Sequence, residues 1–380
     1  MDQGATPRGP ADPATLDKPA TPHVAGGAGG SATGQSGSFW KRHRRAIASV
    51  VGFLFAVAFF YVVVPRLVGL GPTLRLLRRG DVWWLVLGVV LEALSYGGAI
   101  VLFRGVFTGP EDRIGWKASS EITLAGTAAT KVVATAGAGG IALTVWALRG
   151  YGLSGASVAT RMVCYEILNY GVYMAAMAIA GFGLWLGVFP GTAPVGLTLV
   201  PAVFAVVVIL LVLSMLFVYE PVEQFLQQRA DRASGRAAAR WQRVAALPRA
   251  VHAGLVAAIG LVKRRDPAVL GALAGWGFDI AVLWASFRAF GHSPPGAVLV
   301  MGYFVGQLAN VLPLPGGIGG VEAGMIGAFL LFGAQRHLTV LAVLAYRTIS
   351  YWLPTIPGAI AYWRLLRRFR RHGEQITQTA

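Results

Sequence analysis

The sequence predicts an all-α polytopic membrane protein with about six full spans and two re-entrant helical hairpins in an inverted repeat, about eight apparent transmembrane segments. The 380 residues are 55% hydrophobic and only 13% charged, and the mean hydropathy of +0.60 lies outside the range of soluble domains. Several apolar runs reach the roughly 20 residues that cross a bilayer as a helix. Two further apolar segments carry glycine-rich breaks at their centres and predict the hairpins.

The apolar runs define the predicted spans of an integral membrane domain over residues 39–366. Residues 1–38 are mostly small or polar and predict a disordered cytoplasmic tail, because they lack the apolar surface needed for a core. The 19-residue run 46–64 is longer than a typical signal-peptide core and predicts a retained first span. The other predicted spans are 82–103, 156–187, 194–219, 267–290 and 336–363.

Basic residues are placed at the ends of the apolar runs, as in "KRHRR" (41–45) and "RLLRRFRR" (364–371). The net charge of +17 therefore indicates orientation signals and attraction to anionic phospholipids, and it argues against nucleic-acid binding. Basic segments on the cytoplasmic side place the N-terminus, residues 220–266 and the basic tail 367–380 inside a bacterial plasma membrane. The loop 65–81 carries four arginines but is assigned outside, where we expect it to lie flat among the lipid headgroups.

Two segments, 118–150 and 297–333, are too short for two spans and too broken for one. Each predicts a pair of half-helices that enters and leaves on the same side, the first from the cytoplasm and the second from outside. Such irregular backbone is tolerated at membrane depth only where it is buried in protein or faces a wet cavity. The alternative is that the glycines only allow close helix packing. The predicted breaks comprise Gly137, Gly139, Gly140, Pro313, Pro315, Gly316, Gly317, Gly319 and Gly320.

An internal repeat orders these segments as span, hairpin and span in residues 82–187 and again in 267–363. "RMVCY" (161–165) is echoed by "RTISY" (347–351), and "GAGGIA" by "PGGIGG". Because the hairpins are predicted to open to opposite sides, the repeats have inverted topology, which in transporters places the substrate site near the midplane.

Residues 220–266 predict an amphipathic linker between the repeats. Arginines recur at intervals of three and four residues from Arg229 to Arg243, next to an apolar stripe that includes Trp241. This pattern is typical of an interfacial helix on the inner leaflet, with an ordinary solvated cytoplasmic helix as the alternative.

Ionisable residues within apolar segments are the strongest indication of a functional site. Each costs about 2.5–3.5 kcal/mol at a helix centre, and therefore needs a partner or a wet cavity. Arg161 and Arg347 occupy matching repeat positions, and guanidinium groups suit bidentate phosphate binding. The alternative is a set of structural ion pairs. The predicted lipid-headgroup or transport site comprises Arg161, Arg347, Glu322, Glu166, Asp279, Tyr165 and Tyr351, and Glu92 and Lys131 are also ionisable residues in an apolar setting.

The sequence argues against several other chemistries. The single cysteine, Cys164, excludes an internal disulfide, and six scattered histidines give no metal-ligand spacing. Asp279 is the only aspartate within an apolar span, whereas aspartic proteases need two carboxylates in one site. We expect no cofactor, no metal and no catalytic residue.

The segment "LPLPGGIGGVEAG", followed by "LAYRTISYWLPTIPG" (344–358), resembles the membrane domain of the lysylphosphatidylglycerol synthase family, the flippase-like part of multiple peptide resistance factor. Pro315, Gly316, Gly317, Gly319 and Glu322 carry the resemblance, with Gly320 as an extra glycine. Arg347 and Tyr351 match as well, and the similarity covers about 46–365. The first hairpin departs from the family, because "TAGAGGIAL" lacks the proline, arginine and acidic residue that the family often has there.

The resemblance implies translocation of a phospholipid between leaflets. No aminoacyl-transferase domain follows before Ala380, so synthesis of the modified lipid is not expected. The predicted function is a translocase for a phospholipid or lipid-linked substrate, without an ATP site. The alternative is an accessory protein that recruits a lipid-modifying or cell-envelope glycosyl-transferring enzyme.

Overall fold

The computed structural model describes residues 80–109, 114–132, 138–311 and 319–378. The predicted tail 1–38, the predicted first span 46–64 and nearly all of the loop 65–81 lie outside the described residues. The described ranges are helical and contain no strand, which confirms the all-α class.

Twelve α-helices run through the described ranges, with a 3₁₀ turn (Leu308–Val311) after α9 and a π-helical turn (Thr348–Trp352) between α11 and α12. The helices are α1 (Val82–Phe107), α2 (Trp116–Val132), α3 (Ala138–Gly150), α4 (Gly155–Trp185), α5 (Leu199–Asp231), α6 (Gly235–Ala245), α7 (Leu247–Lys263), α8 (Pro267–Ala289), α9 (Gly296–Gln307), α10 (Gly320–Leu331), α11 (Arg336–Arg347) and α12 (Leu353–Gln378).

Five described stretches are long and apolar enough to cross a membrane, so the protein is a multi-pass integral membrane protein. Four are the helices α1, α4, α5 and α8, which correspond to the predicted spans 82–103, 156–187, 194–219 and 267–290. The fifth stretch, Arg240–Lys263, falls within the predicted linker.

The segment 220–266 differs from the single amphipathic helix expected there. It contains the end of α5, then α6, then α7, and Pro248 in the first turn of α7 marks the start of a new helix. Leu255 and Ala258 of α7 are buried, and a Cβ at Gly254 would lie 2.7 Å from a methyl group of Val163 on α4. The arginine-rich interfacial pattern is therefore confined to α6 and the end of α5, while α7 packs into the bundle.

The predicted span 336–363 is helical but interrupted. Pro354 has no N–H and cannot donate to the carbonyl of Ser350, four residues earlier, and the helix widens into a π-turn over these residues. Neither α11 nor α12 is both long and apolar enough to be a candidate span by itself. Helix α12 continues to Gln378, through the predicted basic tail.

Helices α1 and α8, the first helix of each predicted repeat, cross in antiparallel orientation. The Asp81 N–H donates to the Ala289 carbonyl (2.9 Å) at one end, and Gly105 lies against Ala268 at the other. Between these ends the backbones touch, since a Cβ at Gly98 would lie 2.7 Å from the Gly271 carbonyl oxygen. Two equivalent helices in opposite directions are the arrangement that an inverted repeat requires.

The segment 118–150 forms a pair of packed helices, α2 and α3, here called the first hairpin. The helices touch where a Cβ at Gly140 would lie 2.6 Å from the Gly126 carbonyl oxygen. Arg368 contacts both open ends, at 3.8 Å from Glu121 Oε2 and 2.5 Å from the Tyr151 hydroxyl. The two helices therefore begin and end at the same end of the bundle.

Helices α9 and α10 form a second hairpin of the same kind. Their backbones meet at Gly306, where an added Cβ would lie 3.0 Å from Met325 N. Thr192 donates to the Phe332 carbonyl (2.8 Å) at the end of α10, and the neighbouring Gly191 packs on Val298 at the start of α9. Both open ends of this hairpin thus face the loop that follows α4.

Each hairpin packs against the closing helix of the other repeat. Gly358 of α12 lies against α2, where an added Cβ would be 2.8 Å from the Leu124 carbonyl oxygen. Tyr173 of α4 donates to the Phe304 carbonyl of α9 (2.9 Å). This reciprocal packing brings Lys131, in the last turn of α2, to Tyr96 near the middle of α1.

Candidate functional site at the helix breaks

Polar side chains from seven elements meet near the middle of the bundle. We call this set the central cluster. It comprises Glu92 and Tyr96 of α1, Lys131 of α2, Asp279 of α8, Tyr303 of α9, Glu322 of α10, Tyr346 and Arg347 of α11, and Ser350 and Tyr351 of the π-turn.

Lys131 lies in the last turn of α2, immediately before the break of the first hairpin. Its ammonium group donates to the Ser350 carbonyl (2.9 Å), the Tyr351 carbonyl (3.2 Å) and the Tyr96 hydroxyl (3.2 Å). Three neutral acceptors satisfy the three N–H groups. The Ser350 carbonyl is available because Pro354 lacks the N–H that would occupy it in an α-helix. A proline in one repeat therefore creates the acceptor for a lysine in the other.

Glu322 lies in the first turn of α10, directly after the break of the second hairpin. Its Oε2 accepts from the Gly319 N–H (2.7 Å), and its Oε1 accepts from Arg347 Nε (2.6 Å). The side chains of Glu322 and Arg347 are 5% and 7% exposed. Glu322 thus caps its own helix and neutralises a buried arginine.

Tyr351 connects the two helix breaks. Its hydroxyl donates to the Lys131 carbonyl (3.0 Å) at the end of the first half-helix. Its ring lies 4.4 Å from the Arg347 guanidinium carbon and 5.1 Å from Lys131 Nζ, in cation–π geometry. A movement of either hairpin would therefore be transmitted to the other through residues 347–351.

Asp279 lies at the middle of α8, where its Oδ2 accepts from the hydroxyl groups of Tyr303 (2.5 Å) and Tyr346 (3.1 Å). Its Oδ1 and the Oε2 of Glu92 are buried and have no hydrogen-bond partner among the described residues. Asp279 and Lys131 both act electrostatically on Glu92. The cluster therefore contains two carboxyl groups whose hydrogen bonding is incomplete.

The predicted site residues divide between two locations. Asp279, Glu322, Arg347 and Tyr351 belong to the central cluster. Arg161 lies at the end of α1 instead, where it donates to the Phe107 carbonyl (2.7 Å). Phe107 follows Glu92 by 15 residues, or about 22 Å of helix.

Tyr165 also lies at this end, since its ring is 5.7 Å from that of Phe107. Glu166, the next residue, is half-buried on the same helix, α4. The roles predicted for all seven residues stay predictions.

Comparison with known proteins gives the family. The family model described as "Lysylphosphatidylglycerol synthase TM region" matches residues 47–358. The chain belongs to the lysylphosphatidylglycerol synthase transmembrane-region family. The match includes both hairpins and the whole central cluster, and it confirms the resemblance carried by the glycine-rich segment after Asn310.

Curated relatives of this family member are UPF0104 membrane proteins. One from Methanothermobacter thermautotrophicus is 38% identical over 90 residues, which are 23% of this chain and 26% of that protein. Another from the same organism is 23% identical over 336 residues, 84% of this chain and 95% of that protein. One from Pyrococcus horikoshii is 28% identical over 103 residues, 26% of this chain and 30% of that protein. The first and third matches thus span less than a third of the relatives' lengths.

The glycines of the predicted breaks serve different structural roles in this family member. Gly319 has a φ of +84°, a left-handed conformation that favours glycine, and its N–H donates to the Glu322 side chain. Gly320 begins α10, and Gly140 provides the close contact with Gly126. Gly139 lies in the first turn of α3. Gly137, Pro313, Pro315, Gly316 and Gly317 lie outside the described residues.

Three tyrosines of the central cluster, Tyr96, Tyr303 and Tyr346, were not predicted as site residues. An uncharged tyrosine in an apolar helix gives no signal by itself, because it is common in membrane-protein cores. Tyr96 follows Glu92 by four residues and Tyr346 precedes Arg347, so proximity to an ionisable residue was the available signal.

Proposed function

We propose that this protein moves a phospholipid or lipid-linked substrate between the leaflets of a bacterial plasma membrane. In this proposal the N- and C-termini are cytoplasmic, and the protein is not an enzyme, because the lipid crosses unchanged. The observation that carries the proposal is the central cluster: five ionisable side chains from both repeats lie beside the middle of two crossing apolar helices. Charged groups at such a depth in a membrane protein usually belong to a pathway for polar substrates.

The hairpins act as re-entrant elements in this mechanism, the first open to the cytoplasm and the second to the outside. The end of α1 contacts the start of α2, and the end of α8 lines a cavity together with the end of α10. The open ends of the two hairpins therefore lie at opposite ends of the antiparallel pair α1 and α8. Alternate movement of the hairpins would expose the central cluster first to one side and then to the other. Lys131 and Arg347 supply the cations for a lipid phosphate, and the N-terminus of α10 points a positive helix end at the same region.

Arg161 and Tyr165 have a separate place in the proposed pathway. Arg161 binds the carbonyl of Phe107, the last residue of α1, so it lies at the depth of the lipid headgroups. A guanidinium group at that depth is suited to receive a phosphate before it enters the bundle. Glu166 lies five residues further along α4 and is proposed to limit binding of a second anion.

The direct test is lipid movement in proteoliposomes. Purified protein is reconstituted into vesicles with a fluorescent phospholipid, and the fraction accessible to an external quencher is followed over time. Wild-type protein should move the lipid faster than empty vesicles, and Arg347→Met and Lys131→Met should abolish the excess rate. The matched control is Arg249→Met, which removes an exposed arginine that pairs with Glu223 and should leave the rate unchanged. Equal rates for wild-type protein and empty vesicles would reject the proposal.

A second candidate function is recruitment of an envelope-biosynthesis enzyme through the basic inner face. The observation that favours it is the exposure of Arg232 and Arg240, on either side of the turn between α5 and α6. Co-purification of such an enzyme, lost when these arginines are changed to glutamine, together with no lipid movement, would support recruitment.

A further inference from the structure

Glu92 and Asp279 face each other across the crossing of α1 and α8. The Ser95 hydroxyl donates to the Gly275 carbonyl (2.8 Å) between these helices. Glu92 lies three residues before Ser95, and Asp279 lies four residues after Gly275. Because the helices are antiparallel, Glu92 and Asp279 each lie about one helical turn from this hydrogen bond, on the same side of it. The pair is therefore opposed, and it lies between this hydrogen bond and the next contact of the two helices, where a Cβ at Gly88 would be 3.8 Å from a methyl group of Val282.

The charges of the central cluster do not balance when every group is ionised. Glu322 and Arg347 neutralise each other at 2.6 Å. In the described part of the chain, Lys131 is then the cation left to balance two carboxyl groups, Glu92 and Asp279. One negative charge would remain uncompensated in a buried site, which is costly.

Apart from the Glu322–Arg347 pair, the other described groups around the two carboxyl groups are hydroxyl and carbonyl groups. Tyr96 of α1 and the Ser350 and Tyr351 carbonyls bind Lys131, and Tyr303 and Tyr346 donate to Asp279 Oδ2. On α4, Arg161 binds Phe107 about 22 Å along α1 from Glu92, and Glu166 is close to it in sequence. Glu92 is 5% exposed, and its unpartnered Oε2 and Asp279 Oδ1 are two positions for a proton.

We propose that Glu92 and Asp279 share one exchangeable proton while Lys131 is in place, and that this proton is the ion coupled to lipid movement. The reaction is protonation of one carboxylate to a carboxylic acid. When the first hairpin moves and carries Lys131 away, the pair loses its counter-ion and takes up a second proton. When the hairpin returns, that proton is released. The coupling rests on the proposed function, whereas the proton count does not.

Infrared spectroscopy of the purified protein tests the proton count without any transport measurement. Wild-type protein at neutral pH should show the C=O band of a protonated carboxylic acid assigned to the pair. Glu92→Gln and Asp279→Asn should each remove this band, because the remaining carboxyl group then ionises against Lys131. Lys131→Met should instead increase the band, since both carboxyl groups then hold protons. Two different carboxyl variants keep the test decisive if one of them fails to fold.

Glu223→Gln is the matched control, because Glu223 is a similarly buried helical glutamate that pairs with Arg249 at 3.3 Å. It should leave the band unchanged. A band that survives in both Glu92→Gln and Asp279→Asn, or that does not grow in Lys131→Met, overturns the shared proton. In vesicles, a pH gradient should drive lipid movement by wild-type protein and not by Glu92→Gln. Lipid movement at a rate independent of the pH gradient would overturn the coupling. An absence of lipid movement would overturn the proposed function, but it would leave the infrared test of the shared proton unaffected.

Discussion

Glu322 and Arg347 are each stabilised by the other in a position where neither charge would be tolerated alone. Their side chains are almost fully buried, and the distance from Nε to Oε1 is 2.6 Å. The second oxygen of Glu322 is also bound, by the N–H of Gly319. Removal of one partner of such a pair costs more than the pair contributes, because the other charge then stays buried without compensation.

We expect Arg347→Met to lower the free energy of unfolding by about 3–5 kcal/mol, measured by denaturant titration in detergent micelles. Addition of Glu322→Gln should recover part of this loss, since no uncompensated charge remains. Arg249→Ala, at an arginine that is 75% exposed, should cost no more than about 1 kcal/mol. An Arg347→Met protein as stable as the wild type would contradict the buried pair.

Among individual residues, the sequence indicated which charged side chains need compensation, but it did not indicate their hydrogen-bond partners. Asp279, Glu322 and Arg347 were identified because a charge in an apolar run needs compensation. Their hydrogen-bond partners come from elsewhere in the chain, and a single sequence gives no distance between segments. One acceptor of Lys131 is the backbone carbonyl of Ser350, and the sequence signal for it was Pro354, four residues after Ser350.

The crossing of α1 and α8 depends on the absence of side chains at Gly98 and Gly271. A Cβ at Gly98 would lie 2.6 Å from Gly275 N and 2.7 Å from the Gly271 carbonyl oxygen. These are backbone atoms, which cannot move aside without a shift of the whole helix. Small residues commonly permit this kind of close approach in membrane proteins.

Gly98→Ala should therefore reduce the free energy of unfolding by about 1–3 kcal/mol, the usual cost of overpacking. Its neighbour Gly97 has open space around a would-be Cβ. Gly97→Ala should be neutral or stabilising by up to about 1 kcal/mol, because alanine is the better helix former. Thermal unfolding of both variants in the same detergent compares them directly. Equal effects of the two substitutions on stability would show that the close crossing at Gly98 does not determine the cost.

Among the elements, the sequence predicted two pairs of short helices, and it assigned the residues of α7 to a linker. Glycine and proline interrupt the apolar segments before Ala138 and after Asn310, and paired short helices follow from that pattern. The run 247–263 follows an arginine-rich stretch, so its charge context suggested a surface linker. Its own apolar residues, which begin after Pro248, decide the packing instead.

On the scale of the whole molecule, the two hairpins have their open ends at opposite ends of one antiparallel helix pair. The open end of the first hairpin contacts Arg368, and the open end of the second contacts the loop that contains Gly191 and Thr192. The repeated order of elements was predictable from short sequence echoes. The reciprocal packing of each hairpin on the other repeat was not, because it depends on contacts between segments more than 100 residues apart.

Cysteine accessibility tests whether this arrangement corresponds to opposite faces of the membrane. Ser154 follows the first hairpin, Gln335 follows the second, and both are exposed. The native Cys164 is buried, and its replacement by alanine provides a background without thiols. In intact cells a membrane-impermeant maleimide should label Gln335→Cys and spare Ser154→Cys, and in inverted vesicles the labelling should reverse. If both positions react from the same side, the hairpins cannot open to opposite faces, and alternating access to the central cluster through them is excluded.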